Sequence, residues 1–147
     1  MIVLPARLID SKTSQNASYA NSIAIPITTV DTPTLIAQQT LDLSEGTEDL
    51  THVVFSGVVA IQLPLLPVAT TITIFIARGL TSSDLYVFSA AQSLDLSLVG
   101  PQLISFSGSD FNAPISADQA YSVFIQASAL GTIRVGPESY IFTAYSD

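Results

Sequence analysis

The residue types that perform most acid–base and nucleophilic catalysis are scarce in this chain. His52 is the only histidine among the 147 residues. A Ser-His-Asp triad or a histidine general base would therefore have to use it. His52 follows Thr51 and lies close to Asp49, but no G-x-S-x-G sequence accompanies it. We therefore predict no catalytic residues, and we expect His52 at a surface or an interface.

Carboxylates are densest between Asp42 and Asp49, a segment that also contains Glu45 and Glu48. Calcium prefers several carboxylate oxygens close together, so this segment is the best candidate for a metal site. Its spacing does not follow the D-x-[DN]-x-[DN]-G pattern of a calcium-binding loop. We predict no metal site and no cofactor, with calcium binding by residues 42–49 as the alternative that the sequence leaves open.

Charge and composition exclude several classes of protein. The chain has 4 Lys and Arg against 12 Asp and Glu, a net charge of −8. Nucleic acids and anionic membranes require clustered cations, so neither is an expected partner. The absence of cysteine excludes disulfides and thiol chemistry. A hydrophobic share of 48% and a charged share of 11% predict a folded domain rather than a disordered chain.

The elements that would position any site are strands, because apolar residues alternate along most of the chain. Turn residues, with Gly-Pro, Gly-Ser or Arg-Gly pairs among them, separate these runs at intervals of about ten residues. We predict an all-β fold, an antiparallel β-sandwich of jelly-roll type with about 8–10 strands and an extended N-terminal arm. The strands are expected near residues 23–27, 34–43, 53–63, 71–77, 85–87, 94–98, 103–106, 121–127, 133–135 and 140–144.

Two segments leave room for another interpretation. Residues 53–77 carry no charge and are long enough for a membrane helix, but Pro64 and Pro67 favour two buried strands with a proline-containing connection. Residues 34–43 have an apolar spacing that is also compatible with a helix. Residues 107–110 and the pair Gly136-Pro137 are predicted to be turns. We expect no membrane partner.

The N-terminus differs from the rest of the chain. Residues 1–10 are apolar, residues 11–21 are polar and predict a linker, and the domain is expected to span 22–147. Residues 1–21 carry +1 (Arg7 and Lys12 against Asp10), and the remainder carries −9. We predict that the arm docks on a neighbouring subunit by strand addition. Pairing within its own domain and disorder are the alternatives. The predicted assembly residues are Met1, Ile2, Val3, Leu4, Arg7, Leu8 and Ile9.

Three stretches resemble a known group of proteins: THVVFSGVVAIQ at 51–62, TITIFIARG at 71–79 and NAPISADQAYSVFI at 112–125. They are similar to the jelly-roll domains of Bacillus-type spore-surface proteins, from the exosporium and endospore appendages, which are related in fold to C1q and tumour necrosis factor. The similarity covers roughly residues 33–146. It implies a non-enzymatic structural role, trimers or larger assemblies, and a place on the spore surface without a classical signal peptide. The sequence contains neither the collagen-like stalk that many of these proteins have nor the cysteines with which several of the appendage subunits form cross-links.

These observations predict a structural subunit that assembles with copies of itself into a spore-surface appendage, fibre or layer. Other spore-surface proteins are further expected partners. The alternative is a trimeric head that binds a receptor or a carbohydrate, similar to C1q or to a viral or phage fibre. Closed rings and open filaments use the same residue types, so the sequence leaves that choice open.

Overall fold

The computed structural model describes residues 6–95 and 100–147, and all regular structure in these ranges is β-strand. The predicted all-β class and the predicted number of strands are confirmed. The strands are β1 (Arg7–Ala17), β2 (Ile25–Pro26), β3 (Thr34–Leu41), β4 (Thr51–Gln62), β5 (Thr70–Arg78), β6 (Leu85–Leu94), β7 (Gln102–Asp110), β8 (Gln119–Ala127) and β9 (Ile133–Ser146).

The strands form two antiparallel sheets that pack face to face. The first sheet has the order β1-β9-β4-β7, and the short β2 also pairs with β9; the second has the order β3-β8-β5-β6. β1 pairs with β9, β3 with β8, β4 with β7, and β5 with β6. The chain is therefore one long hairpin with nested pairs, rolled so that β4 also pairs with β9 and β5 with β8. This is the topology of a jelly roll, as predicted.

The core lies between the sheets and is built from alternate residues of each strand. In β4, Val53, Phe55 and Ile61 point inward and are fully buried, whereas Val54 and Ser56 face outward. Ile72, Ile74 and Ile76 of β5 follow the same rule in the other sheet. Successive side chains of a strand point to opposite faces, so the alternation visible in the sequence places these residues in the core.

Some predicted strand boundaries are wrong. Two segments with turn-like sequences belong to strands, because the long neighbouring strand β4 provides backbone hydrogen-bond partners along them. Residues 133–146 form one strand, and Gly136-Pro137 lies inside it, where the β4–β9 ladder shifts between Val59 and Ile61. Residues 107–110 are part of β7 and pair with β4. In both places the sequence predicts a turn, whereas the structure has a continuous or bulged strand.

The uncharged run 53–77 forms two strands, β4 and β5, joined by the connection that contains Pro64 and Pro67. Residues 34–41 form β3 rather than a helix. In the ranges that the structure describes, no helix has the length and apolar character needed to cross a bilayer. The strand predicted at 94–98 coincides with the end of β6 at Leu94, and its residues 96–98 lie outside the described ranges.

The predicted division between arm, linker and domain needs correction. Residues 11–17 are not a linker, because they belong to β1 and pair with β9. Their side chains are mostly polar and exposed, and among the described strands β1 has a ladder only with β9. The sandwich thus begins at Arg7 rather than at residue 22. Met1–Leu4 lie outside the described residues.

Candidate assembly surface

The predicted assembly residues that the structure describes lie at the start of β1. Arg7 pairs with Ser146 and Leu8 with Tyr145 of the same chain, and Ile9 packs against the core. For these residues the structure shows the alternative, pairing within their own domain. The Arg7 guanidinium donates hydrogen bonds to the backbone oxygens of Glu45, at 2.5 Å, and Ser146, at 3.5 Å. These contacts hold the beginning of β1 on the end of the sheet.

An apolar row crosses the first sheet at this end. Leu8 of β1 lies beside Tyr145 of β9, which lies beside His52 of β4, and Phe111 directly follows β7. The imidazole of His52 stacks on the Tyr145 ring with centroids 5.7 Å apart, and its centroid is 6.4 Å from that of Phe111. Leu8 is 60% exposed and Phe111 72%. His52 therefore occupies a surface of aromatic and aliphatic groups.

The outward positions of the first sheet form a surface without formal charge, which we call the uncharged face. Inward positions of the same strands hold the core, so the outward set follows from the pleat and the register. Exposed apolar side chains, among them Val54, Leu103 and Ile141, stand between serines and threonines. The face consists of Leu8, Ser11, Thr13 and Gln15 of β1, Ser139, Ile141, Thr143 and Tyr145 of β9, His52, Val54, Ser56 and Val58 of β4, and Leu103, Ser105, Ser107 and Ser109 of β7.

The centre of the uncharged face is concave. Four serines, Ser56, Ser105, Ser107 and Ser139, stand at neighbouring outward positions there, and their side chains are short. The resulting depression has a volume of about 540 Å³ and is lined by Ser56, Ser105, Ser139 and Ile141 among others. Its lining contains no Asp, Glu, Lys, Arg or His, so it offers packing and hydroxyl hydrogen bonds rather than acid–base chemistry.

Charged side chains lie elsewhere on the molecule. The strands of the second sheet contain a single charged residue, Arg78, at the end of β5. In the first sheet, Asp10 and Lys12 are on the edge next to β3 and form an ion pair at 3.6 Å. Most of the remaining carboxylates are in loops and at the C-terminus. The net charge of −8 is thus kept away from the outward sheet positions.

Two ion pairs lie inside the part of the sandwich that the structure describes. Arg78 makes a two-fold hydrogen-bonded contact with Asp110, at 2.8 and 2.6 Å, and the Tyr121 hydroxyl donates to the same carboxylate at 2.6 Å. Burial by itself would raise the pKa of Asp110, but hydrogen bonds from Arg78 and Tyr121 outweigh it, and the pKa is lowered. Burial, reinforced by Asp110, raises the pKa of Tyr121. The three residues join β5 and β8 to β7, and so they tie the two sheets together.

The second ion pair spans the bulge in β9. The Arg134 guanidinium donates to both oxygens of Glu138, at 2.6 and 2.5 Å, and Asn16 donates to the same carboxylate at 2.8 Å. Glu138 is fully buried, so the three hydrogen bonds replace the water that the carboxylate loses. Asn16 also donates to the Ile36 backbone oxygen at 2.7 Å. This pair fastens β1 to β9 and to β3, which is a structural role.

The acidic segment 42–49 does not gather its carboxylates around one point. The Ser44 hydroxyl and backbone N–H donate to Asp42, and these hydrogen bonds lower its pKa. Glu48 and Asp49 line a different depression, of about 550 Å³, opposite residues 112–115. In the ranges that the structure describes, no three His, Cys, Asp or Glu side chains are close enough to hold a metal ion.

Comparison with solved structures finds a similar fold in proteins of infectious bursal disease virus. The chain is similar to the VP2 protein in a subviral particle of infectious bursal disease virus, with a TM-score of 0.55 and 12% identity over 93% of this chain. The Gx strain of the virus gives a TM-score of 0.57 and 11% identity over 93% of the chain. The T=1 particles derived from the virus give 0.56 and 12%, again over 93%. At these identities the likeness establishes the jelly-roll fold.

This chain covers only 37%, 32% and 35% of the three matched chains, about a third of their length. No protein-family model matches the sequence, and no curated protein matches it either. None of the solved structures described above is a spore-surface or C1q-like protein.

Proposed function

We propose that this chain is a non-enzymatic structural subunit that assembles with copies of itself through the uncharged face. The observation that carries the proposal is the placement of charge: a chain with a net charge of −8 presents none on the outward positions of its first sheet. The centres of protein–protein interfaces are depleted in charged residues in the same way. Exposed Val54, Leu103 and Ile141 provide the apolar area that burial against another copy would remove from water.

The likeness to viral particle proteins supports this choice. The matched VP2 chain comes from a subviral particle, and other matched chains come from T=1 particles. A jelly roll is therefore a building block of particles in those proteins. The shared fold is what the two have in common, and assembly of the present chain is our proposal.

We also propose an assembly role for the N-terminal segment. Residues Met1–Leu4 are continuously apolar, and they precede a strand that is fixed to its own domain by the β9 ladder. We propose that these four residues add to a neighbouring copy, with β1 as their anchor. Strand addition obtains affinity from backbone hydrogen bonds and specificity from alternate side chains.

The finer proposal is a spore-surface appendage, fibre or layer, and its support is the sequence resemblance at 51–62, 71–79 and 112–125. A trimeric head that binds a receptor or a carbohydrate is the alternative. Negative-stain microscopy of the purified protein distinguishes these forms. Fibres or sheets support the structural subunit, whereas discrete globular trimers support the head.

The assembly proposal is tested by the native mass of the purified chain and of a variant in the uncharged face. Ile141→Asp places a carboxylate at an outward position that is 40% exposed, so we expect the isolated domain to tolerate it. We expect at least a tenfold weakening of assembly. The matched change Ser82→Asp, in the exposed loop between β5 and β6, should leave assembly unchanged. A wild-type chain that stays monomeric at high micromolar concentration would overturn the proposal.

The role of the N-terminal residues needs its own deletion, of Ile2–Pro5. A longer deletion, to Lys12, would also remove the first half of β1 and its pairs with β9. The short deletion should leave the far-UV circular dichroism spectrum unchanged and lower the native mass of the assembly, because it removes only the connection that Met1–Leu4 make between copies. Unchanged particles after the deletion would show that Met1–Leu4 do not connect copies.

A further inference from the structure

The edge strands of the two sheets differ in how well they are protected from pairing with another chain. β1 and β7 are the edges of the first sheet, and β3 and β6 are the edges of the second. An irregular ladder discourages a further strand, because a bulge twists the edge away from a straight partner. Register shifts interrupt the β1–β9 ladder at Leu8/Asp10 and Gln15/Ala17, the β3–β8 ladder at Leu35/Ala37, and the β5–β6 ladder at Ile76/Ala77.

The β7 edge has no such interruption. Its ladder with β4 runs without a shift from the pair Val53–Asp110 to the pair Ile61–Gln102. β7 contains no proline, and its single charged residue, Asp110, is buried and bound to Arg78. Long, regular and uncharged edges are the ones that accept another strand.

The edges on the opposite side of the sandwich are already engaged with each other. Gln39 of β3 donates to the Thr13 backbone oxygen of β1 at 2.7 Å. Asn16 of β1 donates to the Ile36 backbone oxygen of β3 at 2.7 Å. These side chains use backbone groups that a new strand would need, so the β1 and β3 edges are closed to addition.

The rim beside β7 is apolar. Phe88 of β6 is half-buried, and its ring centroid lies 6.0 Å from that of Phe106 in β7 and 5.4 Å from that of Phe55. Val87 also packs against the core from the same strand. A strand placed on the β7 edge would cover this rim and remove apolar area from water.

We propose that the β7 edge pairs with the β7 edge of a second copy of this chain, antiparallel across a two-fold axis. This inference rests on the proposed function and adds an interface to it. A two-fold contact must be self-complementary. With Phe106 on the axis, all of Gln102–Asp110 is paired, Ser105 of each copy faces Ser107 of the other, and Leu103 faces Ser109.

The pairing keeps the two faces of the sandwich aligned. Ser105 and Ser107 both belong to the uncharged face, so that face continues from one copy into the next, as the pleat requires. No carboxylate faces another carboxylate across the axis, because Asp110 faces Gln102. For two chains with a net charge of −8, this uncharged edge is a place where they can approach closely.

The experiment is a disulfide test of the register, made possible by a chain that has no cysteine. The single variants Ser105→Cys and Ser107→Cys are purified separately and oxidised either alone or as an equimolar mixture. Residues directly opposite in a ladder are within disulfide range, whereas like residues lie diagonally across the axis and are too far apart. Loop variants Ser82→Cys and Ser83→Cys, mixed in the same way, give the rate of random collision.

We expect about half of the protein in the mixture to become disulfide-linked dimers, since random pairing of two variants makes about half of the dimers mixed. Each variant alone, and the loop mixture, should give at least tenfold less. Equal linkage in the single variants and in the mixture overturns the proposed register. No linkage in the mixture overturns the β7 interface. If the wild-type native mass still shows assembly, the proposed function stands without this interface; if the wild type is a monomer, both fall.

Discussion

The contact between Arg78, Asp110 and Tyr121 allows a quantitative test of how the two sheets are held together. Asp110 is 4% exposed, and its carboxylate accepts hydrogen bonds from both other residues. Asp110→Asn removes the negative charge but keeps the shape of the side chain. Arg78 would then remain charged beside a neutral amide, inside the end of the sandwich.

Removing one member of a buried ion pair costs about 3–5 kcal/mol, because the other charge is left without compensation. The Arg78 side chain is 22% exposed, so water can solvate part of its guanidinium. We therefore expect the lower end, a loss of about 3 kcal/mol in the free energy of unfolding at pH 7. For a chain of this length, such a loss corresponds to a fall in melting temperature of about 10 °C.

The effect should depend on pH in one direction. The folded state lowers the pKa of Asp110, so this carboxylate stabilises the fold at pH values above its unfolded pKa, about 3.9. That stability is lost as the pH falls through the lower, folded pKa. The difference between wild type and Asp110→Asn should therefore be largest at neutral pH and shrink at acid pH.

The assay is urea unfolding followed by far-UV circular dichroism, because the chain has no tryptophan for fluorescence. Asp118→Asn, at an exposed carboxylate, is the matched control and should unfold as the wild type does. A loss below about 1 kcal/mol at pH 7 would refute the reasoning, since it would make the pair no better than a surface salt bridge. A difference independent of pH would refute the assigned role of the charge.

Three further substitutions have expected outcomes in the same unfolding assay. Tyr121→Phe removes only one hydrogen bond to the carboxylate, so it should cost about 1.5–3 kcal/mol, less than Asp110→Asn. Gly57→Ala should lower the free energy of unfolding by about 1–3 kcal/mol, because the added Cβ would lie 2.6 Å from Cδ1 of Tyr140 and the ring must move. An unchanged free energy of unfolding would mean that the core has room for a methyl group at this position. Asn16→Ala should lower the free energy of unfolding by about 1–3 kcal/mol, because the buried carboxylate of Glu138 loses a hydrogen-bond donor. A variant as stable as the wild type would show that a water molecule takes the place of the Asn16 amide.

Much of the fold could be predicted from period-two patterns. The alternation of residues 53–63 predicts a strand with one buried face, and Val53 and Phe55 are indeed in the core. The prolines at 64 and 67 separate two strands in a run that is long enough for a membrane helix. These features are local, since a strand that buries one face must repeat its apolar residues at every second position.

The candidate surface was harder to predict, because it depends on contacts between distant residues. Residues 11–17 are polar and predict a linker, yet they form a strand because β9 offers backbone partners more than a hundred positions away, such as Glu138 for Ala17. The apolar row joins Leu8, His52, Phe111 and Tyr145, which have no shared spacing in the sequence. The position of His52 beside an alternating segment was the one available signal.

The buried charges show the same limit. Arg134 and Glu138 count in the sequence as ordinary charges of an acidic domain, but the bulge in β9 turns both of them into the interior, where they bind each other. Composition gives the total charge of the chain, whereas the register of strand pairing decides which charged side chains are exposed to solvent.

The amino-acid sequence alone determined that this protein is an all-β sandwich and which residues of most strands face inward, because alternation is written in neighbouring residues. Only the tertiary structure decided that β1 closes onto its own sheet, that formal charge is absent from a whole sheet face, and that β7 is left as a regular edge. Strand pairing joins residues far apart in the chain, and no local pattern specifies which backbone will supply the partner.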